Sequence, residues 1–330
     1  LARARRTASR PAARRAAPGR GAARPKKPAR RDPAPRSGFR AAAPAKINLY
    51  LHVVGRRDDG FHLLDSLVAF ADVHDTVTAV EGDELTLAVS GPFAPALEAE
   101  PDNLVLRAAR ALASAGGVKR GARMRLIKRL PVASGIGGGS TDAAAALRVL
   151  SALWRVKPAK EDLYKLALDL GADVPVCLGG RALYMGGIGD ALAPAPALPS
   201  AGLVLVNPGT PLPTPPVYKA RQGAFSQAAR FADAPKDARA LARLLEGRRN
   251  DLTQAAIGLV PAIDAVLDEL GAAPGCLLAR MSGSGATCFG LFDDAAAAAR
   301  AAGQIAKLRP AWWVAPGRLV ADIAEVRAEV

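Results

Sequence analysis

Hydrophobic and polar residues change rhythm several times along the chain. Ile47, Leu49 and Leu51 alternate with Lys46, Asn48, Tyr50 and His52, a period of two that predicts a strand. The folded part is expected to begin just before it, near Ala42. Arg56-Arg57-Asp58-Asp59-Gly60 is turn chemistry, and Leu63–Val73, Thr76–Val80 and Glu84–Val89 read as further strands. The period then lengthens. Asp102–Ala115 predicts a helix that stops at Gly116-Gly117. A short strand over Arg123–Lys128 is followed by a helix over Asp142–Trp154, with Ala143, Leu147, Leu150 and Trp154 on one face. Lys160–Leu170 predicts another helix, closed by Gly171. The Pro/Ala string Ala191–Pro199 changes the composition and marks a candidate domain boundary. Beyond it, Leu203–Asn207 reads as a buried strand, 236–247 and 261–270 as helices, and Met281–Phe292 as a Gly/Ser loop running into a strand. A helix over 294–307 and a strand over 318–323 complete the pattern. Strands and helices mix without strict βαβ repetition and without a solenoid repeat. The expectation is an α+β fold in two lobes, 41–195 and 196–330, after a basic tail over 1–40.

Composition sharpens this picture at one place. The chain of 330 residues has a formal net charge of +15, which suggests a nucleic-acid partner. Its distribution argues against that for the body. Residues 1–40 hold fourteen Lys or Arg and one acid, Asp32, and the remaining 290 hold 31 basic and 29 acidic residues. The first 38 residues are Arg, Ala, Pro and Gly with almost no large apolar side chain, so disorder is expected. Prolines at 11, 18, 25, 28, 33 and 35 break any amphipathic transit helix. Nucleic-acid binding through this tail would fall steeply with salt and vanish on its removal. No apolar run reaches the roughly 18–20 residues of a membrane span. Cys177, Cys276 and Cys288 are scattered in apolar strings, as buried free thiols are, which suits a reducing, cytoplasmic setting. The three histidines are equally dispersed, and no protein-held transition metal is expected.

The chemistry concentrates in Pro131-Val132-Ala133-Ser134-Gly135-Ile136-Gly137-Gly138-Gly139-Ser140-Thr141-Asp142-Ala143. Four glycines in five positions precede a helix. Glycine lets backbone N–H groups turn inward and removes the Cβ atoms that would hold a phosphate away. The helix adds unsatisfied N–H donors and the positive end of its dipole. Ser140 and Thr141 offer hydroxyls to a phosphate oxygen or to Mg²⁺. The string is neither a Walker loop nor a Rossmann turn. A tight strand–helix turn would need only one or two glycines.

The string resembles the phosphate-binding motif of the galactokinase, homoserine kinase, mevalonate kinase and phosphomevalonate kinase superfamily. Pro44-Ala45-Lys46-Ile47-Asn48-Leu49 near the start and Met281-Ser282-Gly283-Ser284-Gly285-Ala286-Thr287-Cys288-Phe289 near the end agree with it in order and spacing. Three further stretches are similar to one branch of that superfamily, whose members phosphorylate a methylerythritol linked to cytidine diphosphate. They are Gly55–Leu64, Leu170-Gly171-Ala172-Asp173-Val174-Pro175 and Asn207–Tyr218. The resemblance covers about residues 42–325. It implies an N-terminal lobe like domain 2 of ribosomal protein S5, a ferredoxin-like C-terminal lobe, and catalysis between them with ATP and Mg²⁺.

The resemblance also implies roles. Lys46, otherwise a solvent-facing lysine, would stabilise charge at the acceptor hydroxyl. Asp173, by spacing a helix N-cap, would accept the alcohol proton. Pro131 to Thr141 would hold ATP. Asn48, Phe61, His62, Thr214 and Tyr218 would hold the cytidine diphosphate end, His62 reading the base edge and the aromatics stacking on it. Packing in the core is the alternative for Phe61 and Tyr218. The family commonly has Tyr at the position of Phe61, so stacking survives and a hydroxyl contact does not. Lys128 could reach nucleotide or diphosphate, or be a surface lysine at a strand end. Ser282 to Ala286 would close the site against the methylerythritol. The partner is thus a small-molecule substrate, with no nucleic acid expected for the folded body and no membrane.

Overall fold

The computed structural model describes residues 38–98, 103–323 and 325–329, and the stretch expected to be disordered lies outside them up to residue 37. Strand β1 (Gly38–Arg56) forms a long hairpin with β2 (His62–Gly82). Strand β1 thus begins at Gly38, earlier than the expected start near Ala42, because residues 38–41 pair with the last strand. The expected break at His74-Asp75 is also absent, and one strand runs through both segments. The Asp75 carboxylate within it is buried and accepts from the backbone N–H groups of Arg129 (2.5 Å) and Leu130 (2.8 Å).

Next come β3 (Leu85–Ser90), α1 (Leu104–Ala115), β4 (Gly121–Ile127) and α2 (Gly138–Trp154). Asn103 caps α1 by accepting from the N–H groups of Val105 and Leu106. Helices α3 (Lys160–Leu170) and α4 (Val174–Gly179) lead to β5 (Leu183–Gly187), β6 (Ala191–Pro194) and β7 (Gly202–Asn207). The start of the Pro/Ala string is thus a strand paired with β5, not coil. Helices α5 (Thr214–Ala220), α6 (Ala238–Glu246), α7 (Thr253–Leu259) and α8 (Ala262–Ala272) follow. The chain continues through β8 (Leu278–Met281), β9 (Cys288–Phe292), α9 (Ala295–Leu308), β10 (Trp313–Val320) and β11 (Val326–Glu329).

The sheet order is β11-β1-β2-β10-β7-β9-β8. Along its second edge β2 takes three partners in turn: β5 at residues 64–68, β10 at 70–71 and β4 at 76–82. Pairing between β1 and β2 shifts register between Pro44 and Lys46 and again between Asn48 and Tyr50. Lys46 and Asn48 therefore sit between two bulges, which re-aim side chains locally.

One core lies under α2. The expected face of that helix is buried, and so are Ala144, Ala145, Ala146, Val149 and Leu153. Its amphipathic pattern is weak because α1, α4 and both long strands pack round it, and four consecutive alanines allow that close approach. The opposite face of the sheet is covered by Leu241 and Leu245 of α6 packing on Ile47, Leu49, Leu203 and Phe289. Cys177 and Cys288 are buried free thiols as expected, and Cys276 is half-buried. Among the described residues no helix is long and apolar enough to cross a membrane.

Candidate active site

Two glycine loops, far apart in sequence, interlock by backbone. A Cβ on Gly135 would lie 2.5 Å from the carbonyl oxygen of Ser282, and one on Gly283 would lie 2.5 Å from that of Gly135. Both residues have positive φ, so only glycine suits either the space or the conformation. The contact is fastened by Thr287 N–H donating to Ser134 O (3.1 Å) and Ser282 Oγ to Gly135 O (3.1 Å). Asn250, buried, donates from Nδ2 to the carbonyls of Met281 and Gly283, at 2.8 Å each.

Lys46 rests on the first loop. Its backbone N–H donates to Ile136 O (2.9 Å), and a Cβ on Gly137 would come within 3.1 Å of its own Cβ. The lysine is buried, not solvent-facing, and its Nζ donates to Asp173 Oδ2 at 2.8 Å. Asp173 does occupy the N-cap position of α4, but its side chain makes no cap bond and turns to the lysine instead. Its side chain stays 37 % exposed, so one face of the carboxylate is open to a ligand.

Two cavities meet here. The first, about 300 Å³, is lined by the loop from Pro131 to Gly135 and from Gly137 to Ser140, with Lys128 and Asp142. The second, about 690 Å³, is lined by Lys46, Asn48, Phe61, His62 and Tyr218 among others. Gly135, Asp173 and Thr214 line both. The N-cap of α2 is Gly137, so no side chain caps its first turn and the amides there face the first cavity. Ser140 is half-exposed on that wall, and its hydroxyl makes no hydrogen bond among the described residues. Thr141 turns away, its hydroxyl donating to Gly138 O at 2.9 Å, and Ile136 points into the core.

Lys128 is not a surface lysine. It is buried, donates to Asp75 (2.5 Å) and Asp142 (2.7 Å), and lines the first cavity, not the second. Burial works against its ammonium, and the two carboxylates outweigh that and raise its pKa. One lysine cannot satisfy two buried carboxylates. Burial, with Asp75 adding to it against Lys128, raises Asp142 to about 7. Its Oδ1 has no partner.

In the second cavity, His62 and Tyr218 pack ring to ring with centroids 5.2 Å apart. Phe61 is 59 % exposed, so it is no core residue. The turn at 57–61 presents it, closed by Arg57 N–H to Phe61 O (2.8 Å) and Gly60 N–H to Arg57 O (3.0 Å). Neither His62 nitrogen has a partner among the described residues, and burial followed by the charges of Arg56 and Arg221 lowers its pKa. Burial and then the charge of Asp173 keep the Tyr218 hydroxyl protonated. Asn48 donates from Nδ2 to Ser66 Oγ (2.8 Å), leaving its Oδ1 buried and unpartnered on the cavity wall. Thr214 Oγ1 and Ser284 Oγ lie 2.9 Å apart. Sequence reasoning missed Asp75, Ser66 and Asn250, which stand in no motif. It also gave no role to Arg56, which it read as part of a turn and of the Gly55–Leu64 stretch, or to Arg221.

A phosphate-type loop, a buried lysine paired with a half-exposed carboxylate and an adjoining second cavity define a small-molecule kinase. The sequence pattern of the GHMP kinases N terminal domain matches residues 103–181, and that of the GHMP kinases C terminal region matches 225–310. The chain belongs to the GHMP kinase family and is an ATP-using phosphotransferase. Within the family it is 56 % identical over 284 residues to the 4-diphosphocytidyl-2-C-methyl-D-erythritol kinase of Paramagnetospirillum magneticum, covering 86 % of this chain and 99 % of that one. A crystal structure of 4-(cytidine 5'-diphospho)-2C-methyl-D-erythritol kinase superposes with a TM-score of 0.68 at 37 % identity, covering 85 % of this chain and 98 % of that one. A homoserine kinase from Cytophaga hutchinsonii reaches the same 0.68 at 17 % identity over 90 % of this chain and 99 % of its own. The backbone alone thus does not choose the acceptor, and the side chains must.

Proposed function

We propose that this chain transfers the γ-phosphate of ATP to the 2-hydroxyl of 4-diphosphocytidyl-2-C-methyl-D-erythritol, a step in making isoprenoid precursors by the non-mevalonate route. The observation that carries this is the Lys46–Asp173 pair at the seam of the two cavities, with Asp173 lining both. A hydroxyl entering from the second cavity and a phosphoryl group from the first would meet at its open carboxylate face.

Asp173 would take the hydroxyl proton on Oδ1, since Oδ2 is held by Lys46. The Lys46 ammonium would stabilise negative charge on the transferring group. Phosphoryl transfer needs little covalent help, so positioning and charge carry it. The loop from Pro131 to Thr141 would cradle the phosphates through its amides. Mg²⁺ fits as an ion held mainly by ATP and water, with the unpartnered Ser140 hydroxyl as its protein ligand. When bound it would supply positive charge that offsets the charge of the phosphates. Among the described residues no cluster of three or more His, Cys, Asp or Glu competes for that part.

At the far end, His62 with both nitrogens free suits the edge of a cytosine, and Phe61 and Tyr218 offer faces for stacking. Asn48 Oδ1 suits a hydroxyl of the acceptor. Lys128 would act by holding the loop's flanks rather than by touching the acceptor's diphosphate. A division into an ATP-binding N-terminal part, 41–195, and a C-terminal part, 196–330, goes with this reading.

The test is phosphorus NMR of the full chain with Mg-ATP and the cytidyl substrate, with homoserine and mevalonate as parallel acceptors. A phosphomonoester on the cytidyl substrate alone is expected, with kcat about 10²–10⁴-fold lower for Asp173→Asn while ATP still binds. Turnover of another alcohol in its place would reject the substrate and keep the kinase.

A further inference from the structure

The acceptor cavity carries more charge than the chemistry above uses. Lys46, Arg56, Lys219 and Arg221 line it, against one carboxylate, Asp173. Lys46 and Asp173 neutralise each other at 2.8 Å, and three cations remain. None of the three forms an ion pair among the described residues, whereas the neighbouring Arg57 is paired with Asp59.

Both arginines are fixed without being neutralised. Arg56 donates from Nε to Gly60 O at 3.1 Å. Arg221 donates to Gly223 O at 3.0 Å and to Ala224 O, and its guanidinium carbon lies 4.9 Å above the centre of the Phe225 ring. Its Nε is shielded from solvent and has no partner. A guanidinium aimed by carbonyls keeps its full charge, and its fork suits phosphate oxygens. The two arginines come from different elements, the end of β1 and the C-cap of α5, yet both act on His62. The first cavity is unlike this: its charged lining is Lys128, Asp142 and Asp173, with no cation to spare.

We propose that Arg56, Lys219 and Arg221 form a cationic subsite that binds the phosphate groups of a nucleoside diphosphate joined to the acceptor. This rests on the cytidyl reading above and assigns its anionic linker to named side chains. The subsite makes the acceptor's charge a condition of tight binding, so a neutral nucleoside that fills the same aromatic clamp binds weakly. A merely structural role, with Lys219 and Arg221 complementing the negative end of α5, would affect all ligands alike.

The experiment is calorimetric titration of the full-length protein with CDP and with cytidine, at low and moderate salt. Variants are Arg56→Gln, Arg221→Gln and Lys219→Gln. The Lys219 side chain makes no hydrogen bond among the described residues, so its variant tests the charge even if the Arg221 turn needs its arginine to fold. In the wild type, CDP should bind at least about tenfold tighter than cytidine, with a gap that narrows as salt rises. Each arginine variant should lose about tenfold in CDP affinity, and the lysine variant severalfold, with cytidine and ATP affinities changed less than about twofold. An unchanged ratio of CDP to cytidine affinity in all three variants would overturn the subsite and leave the cytidyl substrate standing. A wild type that binds neither CDP nor cytidine would overturn both. Loss of ATP affinity instead of CDP affinity would assign the cations to the other cavity and reject the proposal.

Discussion

At the scale of single residues, Gly137 shows how the motif constrains the chemistry. It has φ of +63°, and any Cβ would press on Lys46. Gly137→Ala should cost about 1–2 kcal/mol in stability from backbone conformation alone. It should also lower kcat by up to about a hundredfold, because Lys46 is pushed off Asp173. Urea denaturation and steady-state kinetics on the same sample separate the two effects. Asp142 gives a pH prediction. Its folded pKa of about 7 lies above the unfolded value of about 3.9, so between them the folded state holds a proton that the unfolded state lacks. Its stabilising share is therefore full below about pH 4 and lost as pH rises to about 7. Asp142→Asn keeps the shape without the charge, and its urea midpoint relative to wild type should improve from about pH 5 to about pH 8. An equal difference at both pH values would show that Asp142 does not carry the proton. The glycine loop and Lys46 were legible because their residue types stand in a recognisable order. Lys128 with Asp75 and Asp142 was not, since a charged residue gives no periodic sign of burial and its partners are set by the fold.

At the scale of elements, the long helices and most strands were legible from period and stop signals, as Lys160–Leu170 with its closing Gly171 shows. Helices α4, α5 and α7 span six or seven residues each, too short to display a period. They were missed although α4 begins next to Asp173 and α5 carries Thr214 and Tyr218. The second glycine loop depends on a helix-flanking residue with no motif, Asn250. Asn250→Ala would leave the buried carbonyls of Met281 and Gly283 without that donor, at a cost of about 2–4 kcal/mol. KM for both substrates should rise with it, because that loop sets Gly135 and Asn48. A variant with normal KM and reduced stability would confine Asn250 to a structural part.

At the scale of the whole molecule, composition indicated a nearly neutral body, and the α+β class followed from mixed periods without βαβ order. The sheet path was not legible. Strand β2 divides its second edge among three partners drawn from residues 121 to 320, and such pairing depends on contacts that no local window contains. The seam of the two cavities is legible only here, since Gly135, Asp173 and Thr214 come from three separate motifs.

The interlock of Gly135 with Gly283 bears on the order of events when the chain is made. The loop proposed to receive a nucleotide is complete in sequence by residue 143, yet Gly135 is set against a segment nearly 150 residues later. A ribosome-bound chain that has emerged only through α2 therefore carries the motif without its mould. Nucleotide cannot reward a half-made domain, and ligand binding stabilises only chains that have reached the second loop. For the same reason a protease cut between the loops, followed by loss of the C-terminal piece, removes ATP binding even though every residue of the phosphate motif survives.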